Sequence, residues 1–209
     1  MMDGRKQWKQ RELLSENNVA VIREARDMST LHGVIPAVRK MKDFEKALQS
    51  PHEWIVLLET RLGQLKGIME YTRRYEKKLL LHIDLVQGLK ADEYGIEFLA
   101  HDIRPDGIVS TRGSVVELAK KKNLLAIQRL FLLDSLSLEN NLRTGGAGNR
   151  YRADYIEVLP GKLPEVIEKI HAQTDIPIIA GGLLTSETDV AEALKAGAVA
   201  VSTSATELW

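Results

Sequence analysis

From residue 34 onward the chain repeats one unit, and that repeat limits the fold more than any other feature. A short apolar run is followed by polar or small residues, then by a segment of helical period, then by the next run. The runs fall at 34–38, 54–58, 79–84, 107–110, 125–128, 155–159, 177–180 and 198–202. Helical patterns fill 42–49, 62–76, 91–102, 114–122, 163–173 and 187–196. In 163–173, Val166, Ile167 and Ile170 form one stripe, and Lys169 stands near the end where the helix dipole favours a cation. Apolar strands alternating with amphipathic helices make a parallel sheet covered by helices. Eight such units favour an α/β fold of the closed (β/α)8 TIM-like barrel type over an open doubly wound sheet.

Two stretches depart from the ideal. After the last run only 203–209 remain, so the final helix should be truncated. Residues 1–31 precede the first strand, with Leu13, Leu14, Val19, Val21 and Ile22 in a poor helical stripe. They read as an N-terminal extension that is either loose or fills the missing helix position. The rest, 32–209, reads as a single barrel domain. Between the fifth and sixth strands lies TGGAGNRYR, 144–152. Its glycines lack the G-x-G-x-x-G spacing and precede a strand rather than open a helix, which excludes a dinucleotide loop.

Composition narrows the function. Lys plus Arg and Asp plus Glu both number 29, so any nucleic-acid contact must be a local patch rather than the whole surface. The absence of cysteine excludes a disulfide scaffold, zinc fingers and thiol catalysis, and fits a reducing compartment. The longest apolar runs are strand length, well short of the roughly 20 residues of a membrane helix. The opening MMDGRKQWKQRELL has no apolar core of a signal peptide. A soluble, cytoplasmic protein with no membrane partner is expected.

The segment IIAGGLLTSETDVAEALKAGAVAVSTS, 178–204, puts two glycines and a hydroxyl run at the ends of neighbouring strands. Barrel ligands sit at strand C-termini, and the loops after strands seven and eight commonly hold a phosphate. Gly181 and Gly182 would let backbone N–H groups approach an anion. Ser202, Thr203 and Ser204 would add hydroxyl donors, and a helix start near Thr203 its positive dipole end. The competing explanation is a tight turn with helix caps. Alternation turns His82 and Asp84 of strand three, and Glu157 of strand six, toward the barrel axis. Glu59, Thr111, Arg112, Gln128, Arg129, Arg39 and Lys40 stand at the other strand ends. The carboxylates would accept hydrogen bonds from substrate hydroxyls or act in acid–base catalysis. Alternatively, Arg129 or Arg112 is their structural partner, and His82 is a buried structural histidine. Basic clusters occur at Arg5, Lys6, Lys9 and Arg11, at Arg73, Arg74, Lys77 and Lys78, at 120–122, and at Arg143, Arg150 and Arg152. Each reads first as a solvated face, and no RNA-recognition signature with interleaved aromatics is present. Composition and spacing alone give a barrel for a phosphorylated ligand, and favour an enzyme.

Seven ordered blocks then carry a resemblance: VIPAVRKMKDFEKAL, LLHIDLVQGLKADE, PDGIVSTRG, LLAIQRLFLLDS, DYIEVLPG, PIIAGGL and AGAVAVSTS…LW. Over 34–209 the chain resembles the glycerol-3-phosphate-responsive antiterminators, regulators of bacterial glycerol uptake operons. The resemblance implies a barrel-fold regulator rather than an enzyme. Its effector would be glycerol 3-phosphate and its partner the leader mRNA of glycerol-utilisation genes, where it lets transcription pass a terminator. The effector's phosphate would lie at Gly181, Gly182, Ser202, Thr203 and Ser204. Asp84 and Glu157 would take its hydroxyls, and His82, Thr111 and Arg129 would line the same mouth. The patches for RNA would be Arg73, Arg74, Lys77 and Lys78, or Arg143, Arg150 and Arg152. No catalytic residue, metal or cofactor is expected. Oligomeric state is left open, a homo-oligomer included. Residues 1–31 lie outside the resemblance, and 145–152 replaces the end of the fifth helix. The alternative is an isomerase, lyase or transferase on a small phosphorylated substrate, with Asp84 or Glu157 as base.

Overall fold

The computed structural model describes residues 31–131 and 153–209. The expected extension, apart from Leu31, lies outside the described residues, as do the glycine-rich 144–152 and Arg143, Arg150 and Arg152. The unit His32–Trp209 is a closed barrel of eight strands. They are β1 (Gly33–Val38), β2 (Trp54–Leu57), β3 (Lys78–His82), β4 (Gly107–Ser110), β5 (Leu125–Phe131), β6 (Tyr155–Leu159), β7 (Ile178–Gly181) and β8 (Ala198–Thr203). Each strand pairs in parallel with the next in sequence, and β8 closes on β1. The helices that return the chain are α1 (Phe44–Gln49), α2 (Leu65–Arg74), α3 (Glu93–Phe98), α4 (Gly113–Lys121), α5 (Pro164–His171) and α6 (Glu187–Lys195).

Alternation along the strands divides the core. Leu79 and Leu81 of β3 pack outward with Ile68 and Met69 of α2 and Ile96 of α3. Ile156 and Val158 of β6 and Ile178 and Ala180 of β7 pack outward with Ile167 and Ile170 of α5 and Ala193 of α6. Each fully buried aliphatic side chain contributes about 1.5–3 kcal/mol to holding helices on the barrel. The opposite faces, with Leu80, His82, Arg129, Glu157 and Ser202, turn to the axis, and all five are buried.

The register sets polar residues at one height near the C-terminal ends. Arg129 stands opposite Glu157, and Gly181 opposite Ser202. After β8 comes a single 3-10 turn, Thr206–Leu208, and Trp209 donates its indole N–H to the carbonyl of Thr203 at 2.9 Å.

Local differences from the sequence reading cluster where side chains compete with the ladder. Strand three ends at His82, not at residue 84, and Ile83–Leu85 form a 3-10 turn. Asp84 therefore does not follow the strand alternation. Its carboxylate takes hydrogen bonds from the β4 end instead, and such local bonding draws Asp out of regular structure. Strand five continues to Phe131 because its partner β6 runs to Leu159 beside it. A short ladder between Thr60–Arg61 and Val86–Gln87 was not foreseen, two residues being below what periodicity can register.

Candidate functional site

The ends of β5, β6 and β8 build one buried polar group. Arg129 donates from Nε to Glu157 Oε2 at 2.7 Å, and Ser202 donates its hydroxyl to Glu157 Oε1 at 2.6 Å. Arg129 and Glu157 are 8% and 2% exposed, so this ion pair is desolvated and each partner depends on the other. Gly181 makes the arrangement fit: a Cβ there would lie 2.8 Å from both Glu157 Oε1 and Ser202 Oγ.

Beyond β7 the chain turns out of the barrel through two left-handed residues, Gly182 at φ 76° and Leu183 at φ 62°. Glycine adopts that region freely, whereas leucine pays about 1–2 kcal/mol for it. Leu183 is also 69% exposed. Among the described residues, the N–H groups of Gly182, Leu183 and Ser204 donate no hydrogen bond.

These features open onto a cavity of about 490 Å³ at the barrel mouth. Arg129, Glu157, Ser202, Thr203, Ser204 and Gly182 line it, as do Arg39 from the end of β1 and Leu183. Arg39 reaches Glu59 at 3.5 Å, with both side chains more than half exposed. The sequence placed Arg39 at a strand end without assigning it a role. Leu183 was missed, because a left-handed leucine has no signature in one sequence.

Several expected site residues stand differently. Thr203 donates its hydroxyl to the carbonyl of Leu184 at 2.7 Å and accepts from the N–H of Ala205, so its proton is committed. The hydroxyl proton of Ser202 goes to Glu157. The helical turn expected near Thr203 begins at Thr206 and is one turn long, too short for a useful dipole. The start of α6 is occupied by its own side chains: Ser186 and Asp189 form a capping box, and Lys162 pairs with Asp189 at 3.2 Å. Backbone N–H bonds from Thr185 hold the Asp189 carboxyl down at about 2.

Asp84 and Thr111 do not line the mouth cavity. Asp84 accepts from Ser110 Oγ at 3.0 Å, from the Thr111 N–H at 2.7 Å and from Arg112 Nη2 at 2.7 Å. Partial burial acts to raise its carboxyl, but the hydrogen bonds from Thr111, Arg112 and Ser110 outweigh it and hold the group below the ordinary value. Thus each carboxylate has an arginine partner, Arg112 for Asp84 and Arg129 for Glu157. Among the described residues no cluster of metal-ligating side chains occurs.

His82 lies deeper, 3% exposed and outside the cavity lining, with Nδ1 unpartnered among the described residues. Burial first, then the Arg129 charge, lowers its pKa from 6.5 to about 4, while Asp84 and Glu157 oppose the shift. The unfolded chain therefore binds a proton that the folded chain refuses between pH 6.5 and 4, and stability falls as pH drops through that window. We expect a loss on the order of 3 kcal/mol across it, measured by denaturant unfolding at stepped pH, with His82→Leu flattening the slope. An unchanged slope in the variant would assign the acid sensitivity to other groups.

The basic cluster at the end of α2 stands at the opposite end of the barrel, where β3 begins. Arg73 donates to the carbonyls of Ile103 and Arg104, and Lys77 to that of Ser50. Lys78 pairs with Glu53 at 2.7 Å. The Arg74 guanidinium lies 5.2 Å over the Tyr71 ring.

With this geometry in hand, comparisons with known proteins give consistent results. The family described as glycerol-3-phosphate responsive antiterminator matches residues 34–209. The crystal structure of a glycerol uptake operon antiterminator regulatory protein from Listeria monocytogenes superposes with a TM-score of 0.81 at 44% identity, covering 85% of this chain and 94% of that one. A glycerol uptake operon antiterminator-related protein from Thermotoga maritima superposes with a TM-score of 0.74 at 30% identity, covering 86% and 99%. An Escherichia coli (strain K12) relative, "Uncharacterized protein YgcP", is 34% identical over 176 residues, 84% of this chain and 91% of that protein.

Proposed function

The chain belongs to the glycerol-3-phosphate responsive antiterminator family, and on that premise we propose that it is a transcription antiterminator whose barrel mouth binds glycerol 3-phosphate and which, so loaded, binds leader mRNA. The observation that carries the reading is the meeting, in one cavity, of free N–H groups, two arginines and a buried carboxylate. The phosphate sits on the N–H groups of Gly182, Leu183 and Ser204, with the cations of Arg39 and Arg129 nearby. Backbone donors suit this task because they are fixed and cannot be lost by rotation. The glycerol hydroxyls point to Glu157, each of whose oxygens carries one protein hydrogen bond and keeps a lone pair free. Asp84 lies outside the cavity, held by Ser110, Thr111 and Arg112.

This assignment requires recognition and no proton transfer. Glu157 is an acceptor whose charge is balanced by Arg129 and which also takes the Ser202 hydroxyl, an arrangement that fixes the carboxylate as a hydrogen-bond acceptor for a ligand hydroxyl. The cytoplasm, where leader transcripts are made, is the corresponding location.

Isothermal titration with a panel of small phosphates tests the site. Glycerol 3-phosphate should bind more tightly than inorganic phosphate and without turnover. Gly182→Val should weaken it at least tenfold, about 1.4 kcal/mol, by placing a branched side chain at a left-handed residue beside the phosphate. Unchanged affinity in the folded variant would move the phosphate elsewhere, and turnover of the ligand would replace the regulator with an enzyme.

A further inference from the structure

A second cavity, of about 560 Å³, runs down the flank of the barrel between α1 and α2. Phe44, Leu48 and Ile68 form its apolar floor, and Tyr71 and Tyr75 line its far end. Those tyrosines are 53% and 39% exposed, unusual for large rings that neighbouring helices could have covered. They stand one helical turn apart, so they line the same side of α2 and its C-cap.

Two glycines deepen the groove. Gly63 and Gly67 line it, and a Cβ built on either would meet nothing within 4 Å. Neither has a left-handed backbone. Gly67 lies within α2, where glycine is less stable than alanine, so the fold gives no reason for it. A glycine there leaves the helix backbone open to close approach from outside.

The surroundings say what would approach. Over 40–50 and 61–78, the segments that build the groove, nine Lys and Arg stand against four Asp and Glu, in a chain whose 29 cations and 29 anions balance as a whole. Glu45 lines the groove, and Arg73, Lys77 and Lys78 are engaged with protein acceptors, so Arg74 is the cation at the tyrosine end. The Arg74 guanidinium already lies over the Tyr71 ring. Exposed aromatic faces interleaved with cations make the standard platform for single-stranded nucleic acid, since any base has a face to stack and every linkage carries a phosphate. The stretch YTRRYEKK, 71–78, thus has the interleaved aromatics that the sequence reading did not find.

We infer that the α1–α2 groove is a stacking platform for a single-stranded segment of the leader RNA, with Tyr71 and Tyr75 receiving bases and Arg74 a phosphate. This rests on the regulator reading above and names the surface that reading needs. The β1–α1 connection touches both sites: Arg39 lines the mouth cavity, and Met41, two residues on, lines the groove.

The test uses the full chain, a leader RNA from a glycerol-utilisation operon and saturating glycerol 3-phosphate. Tyr71→Ala and Tyr75→Ala should each weaken RNA binding about tenfold, within the range for loss of one stacked base, and Tyr→Phe at either position should restore it. Arg74→Ala should make the log–log salt dependence shallower by about one. Gly67→Ala should raise the melting temperature by about 1–4 °C and still weaken RNA binding. None of the four should alter titration of glycerol 3-phosphate. RNA binding at wild-type strength in both Tyr→Ala variants would overturn the inference and leave the regulator reading standing. If the same variants instead sedimented as a smaller species, the groove would belong to a second copy of the chain. A wild-type protein that binds no leader RNA with effector present would overturn the regulator reading and the platform together.

Discussion

Arg129→Leu should destabilise the barrel by about 3–5 kcal/mol, the usual cost of removing one partner of a buried ion pair. The loss comes less from the missing 2.7 Å hydrogen bond than from what remains, a Glu157 carboxylate 2% exposed with only the Ser202 hydroxyl to support it. At about 2–4 °C per kcal/mol for a domain of this size, the melting temperature should fall by roughly 6–20 °C. The double variant Arg129→Leu, Glu157→Leu should recover most of this, because replacing both charges removes the uncompensated one. Both variants should fail to bind glycerol 3-phosphate, since Arg129 and Glu157 line the mouth. Recovered stability without recovered binding would separate the two duties of the pair. A single variant within 1 kcal/mol of wild type would mean that solvent reaches the Glu157 carboxylate, contrary to the burial of the site.

The barrel itself was readable because its signal repeats. Eight apolar runs with helical segments between them leave little choice of architecture, and an error of a residue or two at any end changes nothing. The inward turn of Glu157 was readable for the same reason, since Ile156 and Val158 flank it on a strand with strict alternation. Asp84 shows the limit. Alternation was extended two residues past His82, where the backbone had already left the ladder for a 3-10 turn held by side-chain bonds. Such bonds join residues about 26 positions apart, and no local pattern carries them. The pairing of Arg129 with Glu157 depends in turn on the register of β5 against β6, which the sequence leaves open.

The glycine pair illustrates a second limit. Gly181 and Gly182 look alike in sequence, yet one makes room for Glu157 and Ser202 while the other takes a left-handed turn. The hydroxyl run Ser202–Ser204 divides similarly, with two of its members spent on protein acceptors and Ser204 offering its N–H. Leu183 and Gly67 carried no signal at all. Each becomes informative only once its backbone angle or the empty space around it is known.

An antiterminator must couple its effector to its RNA, and the coupling must be reciprocal: the factor by which glycerol 3-phosphate tightens RNA binding is the factor by which RNA tightens glycerol 3-phosphate. Couplings of this kind are about 1–3 kcal/mol, which here means RNA binding roughly 5- to 150-fold tighter with saturating effector. With 29 cations balanced by 29 anions, only a local patch can meet the backbone, so few counterions are released. A log–log salt slope of about −2 to −4 follows. The most direct measurement is a filter-binding titration of glycerol-operon leader RNA at several salt concentrations, with and without glycerol 3-phosphate. The account predicts a 5- to 150-fold gap, on the scale of an ordinary coupling free energy, with the same factor recovered when effector is titrated onto the RNA complex. Equal RNA affinity in both arms, with each ligand shown to bind alone, would contradict it.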